Sequence, residues 1–260
     1  MRNKIFGSKQ FSLVLSGGGA LGIAHLGVFE DMEAYALVPS EIIGTSMGGI
    51  IGACIAMGQN KDEISKNIQQ FASITNWLKF SFNGNSVVEK EKLSKIFDRL
   101  FGEAKMGDTR IPLKLIATNL RSSQKRVFDK NDDIYIKDAI LATMAIPGIF
   151  PEQTIEGEVY GDGFLCQNLG ILEASYEEVI AVDVLGQHSF NEEMPNNFFK
   201  TSNVLEMFEK SMRLLIYNQT KLILEHSSKN IYLIEPVTKA YKTYHFHKVE
   251  EISALGLGLL

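Results

Sequence analysis

The sequence predicts an α/β protein whose mostly parallel sheet is covered by helices on both faces. Strand-sized apolar runs alternate with helix-sized periodic segments along the 260 residues. A glycine-rich turn follows the first run, and a glycine-framed serine turn follows the second. Strands separated by helices are the pattern of parallel pairing, because parallel neighbours need a long crossover.

The first strand is the run Phe11 to Leu15, which ends at Ser16 and opens into Gly17-Gly18-Gly19-Ala20-Leu21-Gly22. Behind it Ile23, Leu26, Val28, Phe29 and Met32 recur at roughly helical spacing, so a helix is expected over 20–35. Three consecutive glycines leave backbone N–H groups unshielded at a helix start, where an anion can be received. The anion could be a cofactor pyrophosphate or the oxyanion of an acyl-transfer intermediate. Gly17-x-Gly19-x-x-Gly22 does match the dinucleotide fingerprint. That fingerprint also needs a carboxylate at the end of the second strand, whereas Glu41 precedes Ile42-Ile43 and a serine turn occupies the strand end.

The serine turn is Gly44-Thr45-Ser46-Met47-Gly48, placed between a short strand at 42–44 and a helix expected at 47–58. Strand, G-x-S-x-G, helix is the context of a nucleophile elbow. There the serine sits in strained backbone with its hydroxyl projecting, and the flanking glycines admit close approach of helix and strand. Ser46 is therefore the first candidate for a catalytic residue.

Farther along, helices are expected at 61–77, near 89–101 and at 134–144, with a strand at 112–119 between the last two. Strands near 153–160 and 179–184, a long helix over about 203–228 and a strand at 231–235 complete the alternation. Trp77 to Gly84 reads equally well as an acyl-contacting lid or as core aromatics. Two further motifs stand between: Ala145-Ile146-Pro147-Gly148-Ile149-Phe150-Pro151, then Tyr160-Gly161-Asp162-Gly163. An aspartate between glycines is by itself an ordinary turn residue.

Taken together, the glycine loop, the serine elbow, A-x-P-x-x-F-P and Asp-Gly, in this order and at these distances, resemble the patatin-like phospholipase family. The resemblance runs from about Phe11 to Asp183. It implies a three-layer α/β/α fold and hydrolysis of lipid acyl esters by a Ser-Asp dyad without a histidine. By position, Ser46 is then the nucleophile, Asp162 its base, and the N–H groups of Gly17, Gly18 and Gly19 the oxyanion hole. Chemically, an aspartate within reach of Oγ takes its proton, the serine carries the acyl group, and the loop donors stabilise the developing oxyanion. The chain departs from the family at Leu21, where a cation is usual, at Phe164, where Gly or Ala follows Asp-Gly, and at Gly170, where a proline would follow Asn168. A cation at position 21 would be well placed to help an anionic headgroup.

The rival arrangement is a Ser-Asp-His triad, for which His188 is the candidate by position. It is disfavoured because Ser46 follows only the second strand. His25 reads as a packed helix residue, and His226, His245 and His247 belong to neither site. A second reading of function is a binding or regulatory protein of this fold with weak esterase activity.

With 45% hydrophobic and 22% charged residues the chain is expected to form one domain over 1–260. A formal charge of −5, with no basic stripe, excludes nucleic acid as a partner. Lys239, Lys242 and Lys248 read as a solvated edge. Neither a cofactor nor a metal site is indicated by any motif. Cys54 is expected in the core and Cys166 half-exposed, both as reduced thiols. No run reaches membrane-spanning length, and Val204 to Leu224 carries Glu206, Glu209, Lys210 and Arg213, as an amphipathic helix should. The run after Arg2, Lys4 and Lys9 is too short for a signal-peptide core. The expectation is a cytoplasmic protein with a lipid or ester substrate and transient contact with the inner membrane face.

Overall fold

The computed structural model describes residues 10–75, 90–190 and 201–260. Its centre is an eight-stranded mixed sheet. Strand β1 (Ser12–Leu15) lies between β2 (Glu41–Thr45) and β7 (Glu178–Val182), parallel to both. Outside these, β3 (Leu113–Asn119) pairs parallel to β2 and β8 (Asn230–Ile234) parallel to β7. The antiparallel part gathers around β3, with β4 (Lys125–Phe128) and the hairpin β5 (Gln153–Ile155) and β6 (Glu158–Asp162). The helices are α1 (His25–Ala34), α2 (Met47–Ala56), α3 (Lys61–Thr75), α4 (Lys90–Phe101), α5 (Ile136–Thr143), α6 (Thr201–His226) and α7 (Val249–Ala254).

Strand alternation divides the apolar side chains between two cores. Leu13, Leu15, Ile42, Leu113, Leu115, Ile180 and Val182 join the larger one, together with residues of α1 to α5 and α7. Val14, Ile43, Ile116, Val179 and Ala181 point the other way, to Leu169, Ile171 and Ala174, with Ile223 and Leu224 of α6 closing that side. Because both faces are buried, the central strands read as unbroken apolar runs. This is the three-layer α/β/α arrangement expected.

Three features were not anticipated. The run near 153–160 is a hairpin: Glu156 and Gly157 both adopt positive φ (52° and 82°), as a type I′ turn requires, and reverse the chain between β5 and β6. Strand β4 is short and half-exposed, so its sequence lacks an apolar signature. The glycine loop leads first into a 3₁₀ turn, Gly19–Ala24, and only then into α1. The segment Trp77 to Gly84, read as lid or as core aromatics, lies outside the described residues.

The register around β3 decides where the site forms. Leu115 pairs with Gly44 of β2 and with Phe128 of β4, while Ala117 pairs with Arg126 of β4 and with Asp162 of β6. A strand has only two edges, so β4 takes one, and β2 and β6 must share the other. Strand β2 runs up that edge as far as Thr45, opposite Ile116; β6 runs down it and stops at Asp162, opposite Ala117. The two strands therefore meet end to end.

Candidate active site

Ser46 stands at that meeting point, as the turn between β2 and α2. Its backbone has φ 53° and ψ −124°, a strained conformation for a residue with a side chain. Two contacts hold it there. Its N–H donates to Thr143 Oγ1 at 3.0 Å, and its carbonyl accepts the N–H of Ile50 at 3.1 Å, the first bond of α2. The Thr143 hydroxyl in turn donates to the Ile116 carbonyl, tying the elbow to β3 through α5. The glycines of the motif are steric necessities: a Cβ on Gly44 would lie 2.5 Å from Gly49 Cα, and one on Gly48 would lie 2.4 Å from the Leu15 carbonyl oxygen.

Asp162 is wholly buried beside this serine. Its N–H donates to the Ala145 carbonyl at 2.9 Å and its carbonyl accepts the Thr118 hydroxyl at 3.0 Å. The A-x-P-x-x-F-P segment thus holds the aspartate: Ala145 supplies that carbonyl, and the Ile149 and Phe150 N–H groups turn back onto the Ile146 carbonyl. Carboxylate Oδ1 accepts the Phe164 N–H at 3.0 Å, whereas Oδ2 is buried without a hydrogen-bond partner among the described residues. Burial pushes the carboxyl up to about 7, against the smaller opposing effects of the Phe164 N–H and of the Ser46 hydroxyl. The Ser46 hydroxyl lies close enough to favour the ionised carboxylate.

The glycine loop lies on the other side of Ser46. A Cβ on Gly17 would approach Ser46 Cβ to 3.1 Å and Asn168 Oδ1 to 2.6 Å. The loop's own amides divide into two groups. Gly17 N–H donates to the Asn168 carbonyl at 3.4 Å, Ala20 N–H to the Thr243 carbonyl at 2.7 Å, and Leu21 N–H to the Gly18 carbonyl at 3.1 Å. Among the described residues no acceptor engages the N–H of Gly18 or of Gly19.

A family model for patatin-like phospholipases matches residues 13–175. The chain belongs to the patatin-like phospholipase family. It is 26% identical over 282 residues to the lysophospholipase NTE1 of Debaryomyces hansenii, covering 98% of this chain and 18% of that protein. To the lysophospholipase NTE1 of Scheffersomyces stipitis it is 28% identical over 284 residues, again with 98% and 18% covered. The chain spans about a fifth of the length of the curated relatives it matches. Among solved structures it is similar to VipD from Legionella pneumophila, with a TM-score of 0.46 and 15% identity over 95% of this chain and 67% of that one. It is also similar to the type III effector protein ExoU, with a TM-score of 0.43 and 15% identity over 95% and 51%.

Each departure from the patatin-like pattern now has a structural reading. Leu21 is fully buried in the larger core, an environment where an apolar side chain is favoured and a charged one would have to be paired. Phe164 is half-buried and packs against the larger core, one residue past Gly163. Gly170 is pressed against β2 and β3: any Cβ would lie 2.5 Å from Ile43 Cγ2 and 2.6 Å from Ile116 Cδ1, so a proline here would have to displace these side chains.

The histidines are accounted for separately. His25 is buried under the glycine loop, where its Nε2 bonds the Ser16 carbonyl at 2.8 Å; burial lowers its pKa to about 4, so the ring is neutral and Nε2 carries the proton. His188 is exposed on the turn Gln187–Ser189. His226 bonds the Leu222 carbonyl, and His245 packs its ring against Tyr241, Tyr244 and His247. Both cysteines are free, Cys54 in the core of α2 and Cys166 half-buried. Thr143 and Asn168 are the supporting residues that motif reasoning left without a role. Thr143 carried no signal, whereas Asn168 stood in the motif and its side-chain Nδ2 donates to the Gly17 carbonyl at 3.4 Å.

Proposed function

We propose that this patatin-like chain is a serine acyl hydrolase of lipid carboxylic esters. The observation that carries the reading is the end-to-end junction of β2 and β6, which sets a strained serine beside a buried carboxylate with an unpartnered oxygen. In this reading Ser46 Oγ attacks the ester carbonyl carbon while its proton passes to Asp162. The carbonyl oxygen, now negative, is met by the N–H groups of Gly18 and Gly19, with Gly17 shaping the turn. Collapse of the tetrahedral adduct breaks the bond to the alkoxy group, which takes the proton back from Asp162 and leaves. Water, giving a proton to the same carboxylate, then attacks the acyl carbon; as the bond to Ser46 Oγ breaks, Oγ takes that proton back from Asp162 and the fatty acid is released.

A carboxyl raised to about 7 suits both halves of this cycle. It is a stronger base than an exposed aspartate, and its protonated form is the one that burial favours. Lysophospholipid is the first substrate class to test, since the relatives are named lysophospholipases. We read residues 1–260 as one catalytic domain acting at the inner membrane face from the cytoplasm. Among the described residues no helix is long and apolar enough to cross a membrane, which fits a peripheral encounter.

The test is a fluorophosphonate probe and a lysophospholipid assay on wild type and Ser46→Ala. Labelling and turnover should both vanish in the variant. A wild-type protein that binds lipid but neither labels nor turns over would support the binding-protein reading instead.

A further inference from the structure

Helix α6 bonds the residues that hold the glycine loop at its two ends, through side chains that lie beyond the residues matched by the family model. At one end Glu209 Oε1 accepts both the N–H and the hydroxyl of Thr243, each at 2.9 Å. The Thr243 carbonyl accepts the Ala20 N–H at 2.7 Å and lies so close to Gly19 that a Cβ there would stand 2.4 Å from it. Arg213 Nη1, 3.9 Å from Glu209 on the next turn of the helix, backs the carboxylate, and Arg213 itself is fixed to the Ser189 carbonyl. At the other end Gln219 Oε1 accepts the Asn168 N–H at 3.3 Å, and its Nε2 donates to the Cys166 carbonyl at 2.8 Å. Asn168 brackets Gly17 on both sides of the residue, taking its N–H and donating to its carbonyl.

We infer that α6 positions the oxyanion-binding turn, with Glu209 acting through Thr243 on Gly19 and Ala20, and Gln219 acting through Asn168 on Gly17. The two anchors engage the amides of Gly17 and Ala20 and bracket the two that stay open, Gly18 and Gly19. The direction of the open donors is then set by where the bracketing residues are held. Glycine offers no side chain to hold such a turn itself, so the restraint comes from outside it. An oxyanion hole acts through preorganisation, so a small rotation of the loop costs turnover rather than substrate binding. Glu209 and Gln219 are positioning residues: neither touches the serine.

The inference rests on the proposed acyl-hydrolase reading, and the experiment separates the two. Steady-state kinetics with a nitrophenyl ester are measured on wild type, Ser46→Ala, Glu209→Leu, Gln219→Leu, Thr243→Val and Thr243→Ser, normalised to the folded fraction from thermal melts. Loss of all turnover in Ser46→Ala secures the underlying reading; retained turnover there removes it. Given that loss, Glu209→Leu and Gln219→Leu should each lower kcat by about 10-fold, with KM within about twofold, an effect smaller than outright removal of an oxyanion donor. Thr243→Val, which keeps the N–H bond but loses the hydroxyl bond, should fall between, and Thr243→Ser should restore the wild-type kcat. Unchanged kcat per folded molecule in Glu209→Leu and Gln219→Leu overturns the inference. So does a Thr243→Ser variant as slow as Thr243→Val.

Discussion

Replacing Asp162 by asparagine should make the protein inactive and more stable, by an amount that depends on pH in a defined way. The buried carboxyl titrates near 7 in the folded state, against an ordinary value of 3.8. A difference of roughly three units corresponds to a folding penalty on the order of 4 kcal/mol when the group is ionised in both states. Because the folded pKa is the higher one, the penalty is absent below about pH 3.8, grows as pH rises between the two values, and is complete above about pH 7. Asparagine keeps an oxygen for the Phe164 N–H and carries no charge to bury. Its stabilising effect should therefore be larger at pH 8 than at pH 5, by on the order of 2–3 kcal/mol from the same linkage. Urea denaturation of both proteins at the two pH values measures this directly, beside an esterase assay in which Asp162→Asn should be lower by several orders of magnitude. An equal stability difference at both pH values would refute the burial argument. Undiminished turnover would remove Asp162 as the base.

The remaining expectations concern the elements around the junction. The raised carboxyl places the acid limb of kcat/KM near pH 7, so activity should fall as pH drops through that value; an acid limb near pH 4 would contradict it. An ordinary aspartate would have remained active at pH 5.5, so the pH profile does not by itself separate the dyad from a histidine triad. The comparison of Asp162→Asn with His188→Ala does, with His188→Ala expected to retain turnover. Thr143→Val leaves the Ser46 N–H without its acceptor and should cost about 1–3 kcal/mol of stability and lower kcat, both read from melts and kinetics. Gly18→Val should destabilise as well as inactivate, because its Cβ would stand 2.5 Å from Val184 Cγ2. Gly17→Ala instead crowds Ser46 Cβ and Asn168 Oδ1, and should show mainly in the rate.

The chemistry-bearing residues were legible in the sequence because each sits in a short motif with its own backbone demand. A glycine triplet, a serine between glycines and an aspartate between glycines all mark places where a Cβ will not fit or where φ turns positive. Ser46 and Asp162 were read from their motifs, and their roles as nucleophile and base are the proposal made above. What the sequence hid is the way they meet, since the shared edge of β3 depends on pairing between residues that are far apart in the chain. The hairpin at Glu156-Gly157 was hidden for a related reason: β5 is three residues long, too short to show alternation. Thr143 gave no sign because a single threonine near a helix end has many ordinary uses. The value near 7 for Asp162 arises from burial, which no linear pattern around an Asp-Gly pair reveals.

The junction of β2 and β6 along β3 also bears on how this chain can vary. The proposed nucleophile and base take their separation from two consecutive rungs of a third strand, Ile116 and Ala117, so the ruler is internal to the sheet. The chain between Thr45 and Ile116, and again between Ala117 and Asp162, leaves the ruler and returns to it. Either excursion could lengthen or shorten in its surface turns without altering the gap between Ser46 and Asp162, provided α2, Thr143 and Ala145 keep their places. The tolerance ends at the strands themselves. Deleting Tyr160 or Gly161 would turn the carboxylate to the opposite face of the sheet, and no adjustment of a loop would bring it back.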